Sequence, residues 1–216
     1  MISEKVVVVG AGGLGREIIE IFKAQNDVFP NAWDILGFLD DDDDKKCRNI
    51  NGFYVLGGLE WLEDNYGISC VVAVGDSRAR KKIVEKLKGY GVNFVNAIHP
   101  SVVMSDSVTL GEDVIICAGC VLTTNIVIGD HVILNMNCTV GHDAVIKDFV
   151  SAMPSVNING FNNIGMGVYI GCGVNFIHEV SVGDNSVIGA GAVVVRDIPS
   201  GVTAVGVPCR PVNGVD

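Results

Sequence analysis

From Ser101 onward the chain repeats itself every six residues. Written in sixes, it reads SVVMSD SVTLGE DVIICA GCVLTT NIVIGD HVILNM NCTVGH DAVIKD FVSAMP SVNING FNNIGM GVYIGC GVNFIH EVSVGD NSVIGA GAVVVR. The fourth residue of every block is apolar, from Met104, Leu110 and Ile116 through to Ile188 and Val194, and the second is usually small or β-branched. A helix would repeat its apolar positions about every 3.6 residues, and a half-buried strand every two. An unbroken period of six predicts a parallel β-helix, whose inward residues stack from coil to coil. A longer rhythm of eighteen runs through Leu110-Gly111-Glu112, Ile128-Gly129-Asp130, Ile146-Lys147-Asp148, Ile164-Gly165-Met166 and Val182-Gly183-Asp184. It makes each coil triangular, giving five full coils and one further face with no inserted loop. Glycine, at 27 residues, is expected at the corners, where the backbone adopts conformations that side chains resist.

Residues 1 to about 98 follow another pattern. KVVVVGAGGLGREIIEIFK predicts a strand, a glycine turn and an amphipathic helix. WDILGFLDDD is a second strand ending in acids, LEWLEDNYG a helix, and SCVVAVGDS a third strand. RARKKIVEKLKGYG is a helix closed by Gly89 and Gly91, and VNFVNAIHPS a fourth short strand. Strands alternating with helices imply a small parallel α/β domain, Rossmann-like, over 1–98, followed by the β-helix and a tail over 99–216.

Composition narrows the function classes. Apolar residues make up 49% and charged residues 19%, a globular balance. A net charge of −10 argues against nucleic acid or an anionic membrane as partner. No apolar run approaches the ~18 residues of a membrane span, so a cytoplasmic protein is expected. Seven scattered cysteines are expected to be reduced. Cys117 and Cys120 form a lone CxxC with no second pair, so ordinary thiols are expected there and no metal.

Gly10, Gly12 and Gly15 satisfy G-x-G-x-x-G between a strand and a helix, with Asp40 ending the next strand. That is the dinucleotide fingerprint, although bare amides at a helix start would hold the diphosphate of a nucleotide sugar equally well. NAD and a nucleotide sugar both remain open on these residues. Gly75 lies at the same sheet edge, and Arg78 and Arg80 beyond it read either as a charged surface or as phosphate contacts. In NMNCTVGHDAVIKD, His142 and Asp143 stand in a background of small, apolar and amide side chains. The pair reads as a solvated corner, a metal ligand with its carboxylate, or a general base beside an acid.

Taken in order, VVVVGAGGLGREI, LGFLDDD, VAVGDSRARKKI, AIHPSV, LNMNCTVGHDAVIKDFV, VYIGCGV, SVIGAGAVVVRDIP and AVGVPCRPV resemble landmarks of a family. These are the left-handed β-helix sugar acetyltransferases with an N-terminal nucleotide-sugar domain, the sialic acid O-acetyltransferase, bacillosamine and perosamine N-acetyltransferase group. The resemblance covers nearly the whole chain. It implies a left-handed coil, acetyl-CoA as co-substrate, and a homotrimer with active sites between neighbouring β-helices. By the same resemblance His142 is the catalytic base and Asp143 the acid that raises its basicity. Coenzyme contacts fall near Ser151, Gly171, Cys172, Gly189 and Ala190, and nucleotide-sugar contacts on Gly12, Gly13, Leu14, Asp40, Asp41 and Gly75. Ser151 stands where several relatives carry histidine, Leu14 replaces a histidine frequent in the glycine turn, and Lys147 replaces the usual corner glycine.

Acetyl transfer needs a nucleophile that loses its proton as it attacks, and histidine, with an ordinary pKa near ~6.5, is matched to that task at neutrality. An adjacent carboxylate accepting the second ring N–H fixes the tautomer. With no serine or cysteine poised to take the acetyl group, direct transfer in a ternary complex is expected. The acceptor is the amine of a nucleotide-linked 4-amino-deoxysugar or, alternatively, a hydroxyl of a sialic-acid-like sugar. Cys138 is expected to pack, His99 to do structural work at the domain seam, His131 to be solvated at a corner, and His178 to neighbour the site two coils from His142. An NAD oxidoreductase and a non-catalytic trimeric assembly module are the readings from other classes.

Overall fold

The computed structural model describes residues 3–212, so the outermost residues of both expected domains lie outside the described residues. The chain divides into two units, Met1–Pro100 and Ser101–Asp216.

In the first unit β1 (Glu4–Val9) lies at the centre of a six-stranded sheet. Its four consecutive valines are buried because a parallel strand is covered on both faces. α1 (Gly13–Val28) follows directly and turns Ile18, Ile19, Ile21 and Phe22 inward. Then come β2 (Trp33–Leu39), β3 (Asn49–Ile50), β4 (Phe53–Gly57), β5 (Ser69–Val72), α2 (Ser77–Leu87) and β6 (Asn93–Phe94), in the sheet order β3-β4-β2-β1-β5-β6. All neighbours are parallel except β3 and β4, a tight hairpin absent from the sequence expectation. The segment expected as a helix around LEWLED is a short 3₁₀ turn, Leu59–Asp64. Six residues after an uncapped glycine are too few to sustain an α-helix.

The second unit is a parallel β-helix. Sixteen two-residue strands run from Val103–Met104 to Val193–Val194, six residues apart, and those up to Asn175–Phe176 each pair in parallel with the strand eighteen residues on. The first face holds Val103–Met104, Thr139–Val140 and Val193–Val194 among its strands, the second Val127–Ile128 and Val145–Ile146. The third face holds Ile115–Ile116, Ser151–Ala152 and Tyr169–Ile170, and is extended by Thr203–Val205. The apolar fourth residue of each block points inward and is buried from Ile116 to Val194, while Met104 at the open end is 36% exposed. Each buried aliphatic side chain contributes about 1.5–3 kcal/mol, so the stack is self-supporting along its length.

The glycines answer to two different demands. Every sixth residue from Asp113 to Gly191 has positive φ, and most of these corners are Asp, Asn, His, Phe, Ser or Glu instead of glycine. The glycine of LGE and IGD is required for another reason. A Cβ on Gly129 would run into Asp148 Oδ1 and lie 2.8 Å from Asp148 N. That aspartate accepts the Asp130 N–H at 3.0 Å, as Asp130 accepts from Glu112 N and Asp184 from Met166 N. Lys147 is the exception, and the residue above it is Met166, where the coils above Gly111, Gly129 and Gly165 carry aspartate.

Candidate functional site

His142 and Asp143 fall at the corner between the first and second faces. Asp143 has φ 59°, which aspartate tolerates, and this turns its carboxylate back onto the preceding imidazole. His142 Nδ1 lies 2.9 Å from Asp143 Oδ2. A carboxylate only accepts, so Nδ1 carries the hydrogen and Nε2 keeps a lone pair. Asn125, one coil earlier, donates Nδ2–H to Asp143 Oδ1 at 3.2 Å. The bond from His142, and after it the one from Asn125, holds the Asp143 carboxyl below the usual carboxylate range. One coil later Gly160 leaves space for the ring, since a Cβ there would sit 2.7 Å from His142 Cε1 and Nε2. Phe161 meets the ring edge-on, with centroids 5.0 Å apart. The imidazole is fixed on one edge and 54% exposed. Asn125, Gly160 and Phe161 were missed in the sequence, although each is displaced by eighteen from Asp143 or His142.

His178 and Glu179 occupy the same corner two coils from His142, and both are exposed. His131, expected to be solvated, is 3% exposed. Its Nδ1 lies 2.8 Å from the buried Asp113 carboxylate one coil earlier, and its ring stacks on Phe149 one coil later at 4.7 Å. None of the seven cysteines is in a disulfide. Cys138 is buried, and the Cys120 thiol beside it together with burial pushes its own thiol up, away from the thiolate a nucleophile needs. Among the described residues no group of three or more His, Cys, Asp or Glu is placed to hold a metal ion.

The expected coenzyme positions lie on a different corner. Gly171 and Cys172 follow the third-face strand Tyr169–Ile170, and Gly189 and Ala190 follow Val187–Ile188 one coil on. Cys172 and Ala190 are exposed, while Gly171 is needed for coil contact because a Cβ would lie 2.8 Å from Ala190 Cα. One chain does not bring these residues to His142. Ser151 is fully buried on the third face and offers no surface to a ligand.

The glycine turn divides its work among three residues. Gly10 has φ 104° and makes the turn, and a Cβ on Gly15 would collide with Gly10 O, so helix and strand pack closely. Gly12 has open space around it, and no side chain caps the start of the helix. Asp40 is already engaged. Its Oδ2 accepts from Ala11 N at 2.8 Å and Lys45 Nζ at 3.1 Å, and its Oδ1 from Asp42 N at 3.0 Å. Burial raises this carboxyl's pKa, but the amides of Ala11 and Asp42 and the Lys45 ammonium outweigh it and leave it lowered. An acid so occupied anchors the turn, with one lone-pair site of Oδ1 left for a further donor. Asp41 and Asp40 border a cavity of about 170 Å³, lined also by Val9, Leu39, Leu59 and Val74 at the carboxyl edge of the sheet. Gly75 closes that edge through Arg80, which is fully buried and donates to Val74 O at 2.7 Å and Gly75 O at 3.3 Å. Arg80 therefore braces the loop and is neither a surface charge nor a phosphate contact; Arg78 is exposed.

Comparison with known proteins agrees with both halves. Residues 5–87 match the PglD N-terminal domain. GDP-perosamine N-acetyltransferase of Escherichia coli O157:H7 is 32% identical over 208 residues, covering 93% of each chain. Perosamine N-acetyltransferase from Caulobacter crescentus, solved as a histidine variant with CoA and GDP-perosamine, superposes with TM-score 0.89 at 33% identity, covering 97% of each chain. The acetyltransferase domain of PglB from Neisseria gonorrhoeae, solved with acetyl coenzyme A, gives TM-score 0.89 at 32% identity over 97% of this chain and 100% of that one. A putative acetyltransferase of Saccharomyces cerevisiae and the galactoside O-acetyltransferase of E. coli match more locally, so that the chain spans 26% of each. With a glycine-turn domain of the PglD type joined to an unbroken hexapeptide-repeat coil, the chain belongs to the left-handed β-helix sugar acetyltransferase family.

Proposed function

We propose that the protein transfers the acetyl group of acetyl-CoA to the amine of a nucleotide-linked 4-amino-deoxysugar in surface-glycan synthesis, with His142 as general base. The observation that carries this reading is the His142–Asp143 pair, bonded at 2.9 Å through Nδ1 with the ring otherwise open. In the reaction the amine nitrogen attacks the thioester carbonyl carbon while His142 Nε2 takes a proton from it. The tetrahedral intermediate collapses, the C–S bond breaks, and the departing thiolate receives the proton back from the imidazolium. Asp143 stabilises that imidazolium and keeps the tautomer that leaves Nε2 free. Base catalysis supplies about 10²–10⁴-fold, with the remainder coming from orientation of the two substrates.

The relatives bound to CoA and GDP-perosamine support these two substrates. Gly12, Gly13 and Leu14 take the diphosphate at the helix start. Gly171, Cys172, Gly189 and Ala190 contact the coenzyme from a neighbouring copy, because they stand on another corner from His142. The family resemblance implies a homotrimer as the working form, in the cytoplasm where acetyl-CoA is available. Ser151, being enclosed, has no part in that contact. No helix among the described residues is long and apolar enough to cross a membrane.

The test is thiol release from acetyl-CoA in the presence of UDP-, dTDP- or GDP-linked 4-amino sugars. His142→Ala is expected to cut turnover by about 10²–10⁴-fold. Full turnover by that variant removes His142 from the mechanism, and transfer only to a sialic-acid-like hydroxyl turns the reading to O-acetylation.

A further inference from the structure

The corner that carries His142 and Asp143 also carries a line of hydrogen-bonded side chains leading to them from the start of the coil. Ser105 and Ser107 open it, with their hydroxyl oxygens 2.9 Å apart. Ser107 Oγ lies 2.8 Å from Thr124 Oγ1 one coil on, and also accepts the Asn125 N–H at 3.0 Å. Thr124 Oγ1 lies 3.5 Å from Asn125 Oδ1, and Asn125 Nδ2 reaches Asp143 Oδ1 in the following coil at 3.2 Å. Asn125 and Asp143 share the corner backbone, with φ 56° and 59°, so both side chains leave it in the same way. Successive coils are about 4.8 Å apart, which keeps each link within reach of the next although Ser107, Thr124 and Asn125 are exposed.

The line has one direction. A carboxylate only accepts, so Asn125 donates Nδ2–H to Asp143 and turns its carbonyl oxygen toward Thr124. That oxygen also only accepts, so the Thr124 hydroxyl spends its one hydrogen there. Ser107 must then donate to Thr124, and Ser105 to Ser107. Donors aligned this way strengthen one another, and they end on the carboxylate that holds His142 Nδ1. Building on the reading of His142 as the base, we propose that Ser107 and Thr124 are positioning residues for it. They fix the amide of Asn125, the amide fixes the Asp143 carboxylate, and the carboxylate keeps the ring hydrogen on Nδ1. Ser107 stands two coils before Asp143, roughly 10 Å away, and acts on the ring only through this line. An imidazole with no partner at Nδ1 favours its hydrogen on Nε2, the atom that the base must keep bare.

Imidazole nitrogen resonances of the isotope-labelled full chain, recorded where the ring is neutral and assigned against His142→Gln, report which nitrogen carries the hydrogen. The parent is expected in the Nδ1–H form. Ser107→Ala and Thr124→Val each delete one hydroxyl and should move the ring toward the Nε2–H form. In thiol release from acetyl-CoA, kcat should fall roughly fivefold with KM unchanged, the scale of one net hydrogen bond. Ser107→Thr and Thr124→Ser restore the hydroxyl and should restore both the ring form and the rate. An Nε2–H ring in the parent, or an Nδ1–H ring kept in both Ser107→Ala and Thr124→Val, overturns the proposal. A ring that changes form while kcat holds leaves the line standing and removes His142 as the base, so the two failures read differently.

Discussion

Replacing Gly160 by alanine tests the seat of the proposed catalytic ring without touching the ring itself. The added methyl would lie 2.7 Å from His142 Cε1 and Nε2 and 3.1 Å from Nδ1, whereas ordinary contact begins near 3.4 Å. The imidazole must therefore move outward by roughly 0.7 Å or rotate, and either motion strains its 2.9 Å bond to Asp143. Gly160 does not have positive φ, so alanine is compatible with the backbone and the fold should be nearly unaffected. Misplacing a base by an amount approaching 1 Å costs about 10²-fold, equivalent to about 2.7 kcal/mol in the barrier. The assay is continuous detection of the CoA thiol with a nucleotide 4-amino sugar as acceptor, alongside a thermal melt. The expected result is a fall in kcat near a hundredfold with a melting temperature within a few degrees of the parent. Unchanged kcat would refute the claim that the ring works from the position it holds over Gly160.

Other perturbations separate chemistry from architecture. Asp143→Asn should reduce kcat by at least about tenfold because an amide can donate to Nδ1 and select the wrong tautomer, while Asn125→Ala should cost less; steady-state rates decide. Gly129→Ala should destabilise the coil by about 1–3 kcal/mol through overpacking against Asp148, whereas Lys147→Gly should change stability by less than ~1 kcal/mol, both read from denaturant melts. Asp40 has a lowered carboxyl pKa in the folded chain, so the stability it contributes is fully present above the ordinary value near ~3.9 and is lost as pH falls through the lower folded value. Asp40→Asn should thus be less stable than the parent at neutral pH, with the gap narrowing below about pH 4 in melts across that range. If the site is shared between copies, mixed oligomers of His142→Ala and Cys172→Trp chains should recover part of the activity that each variant lacks alone, measured after co-expression.

What could be read in advance followed from how repetitive each part is. The β-helix was visible because every coil must present an apolar residue at the same inward place, so Ile116, Leu134 and Ile170 announce one another. The roles of individual corners were less visible. His131 begins a block like Asn125 or Asn137, and only the coil before it, with Asp113 at the same place, explains why the ring is drawn in and buried. The hairpin of β3 and β4 carried its own signal, Asn51-Gly52 with φ 52° and 92°, a two-residue turn ahead of the apolar run Phe53–Leu56. It was obscured by the aspartate run before it. Arg80 looked like part of a basic helix face, yet the helix turns it under the sheet edge, where two carbonyls take its guanidinium. Asp40 was correctly placed beside the glycine turn, but its role depends on donors from Ala11, Asp42 and Lys45 that no local pattern reveals.

The triangular coil also explains why one chain holds only part of the proposed active site. Neighbours along a corner are separated by eighteen residues, so Asn125 can hold Asp143 and Gly160 can seat His142, and nothing outside that column is needed to fix the base. The exposed positions at Cys172 and Ala190 belong to the column that ends the third face, whereas His142 ends the first. Moving along the axis changes the coil but never the corner, and the strands are too short and too rigidly paired to bend one corner toward another. A coenzyme held by that second column can reach His142 only if another copy presents its own corner there. If His142 is the base and that second column holds the coenzyme, the geometry that makes the ring easy to position within one chain is also the geometry that would bring the acetyl donor in from between two.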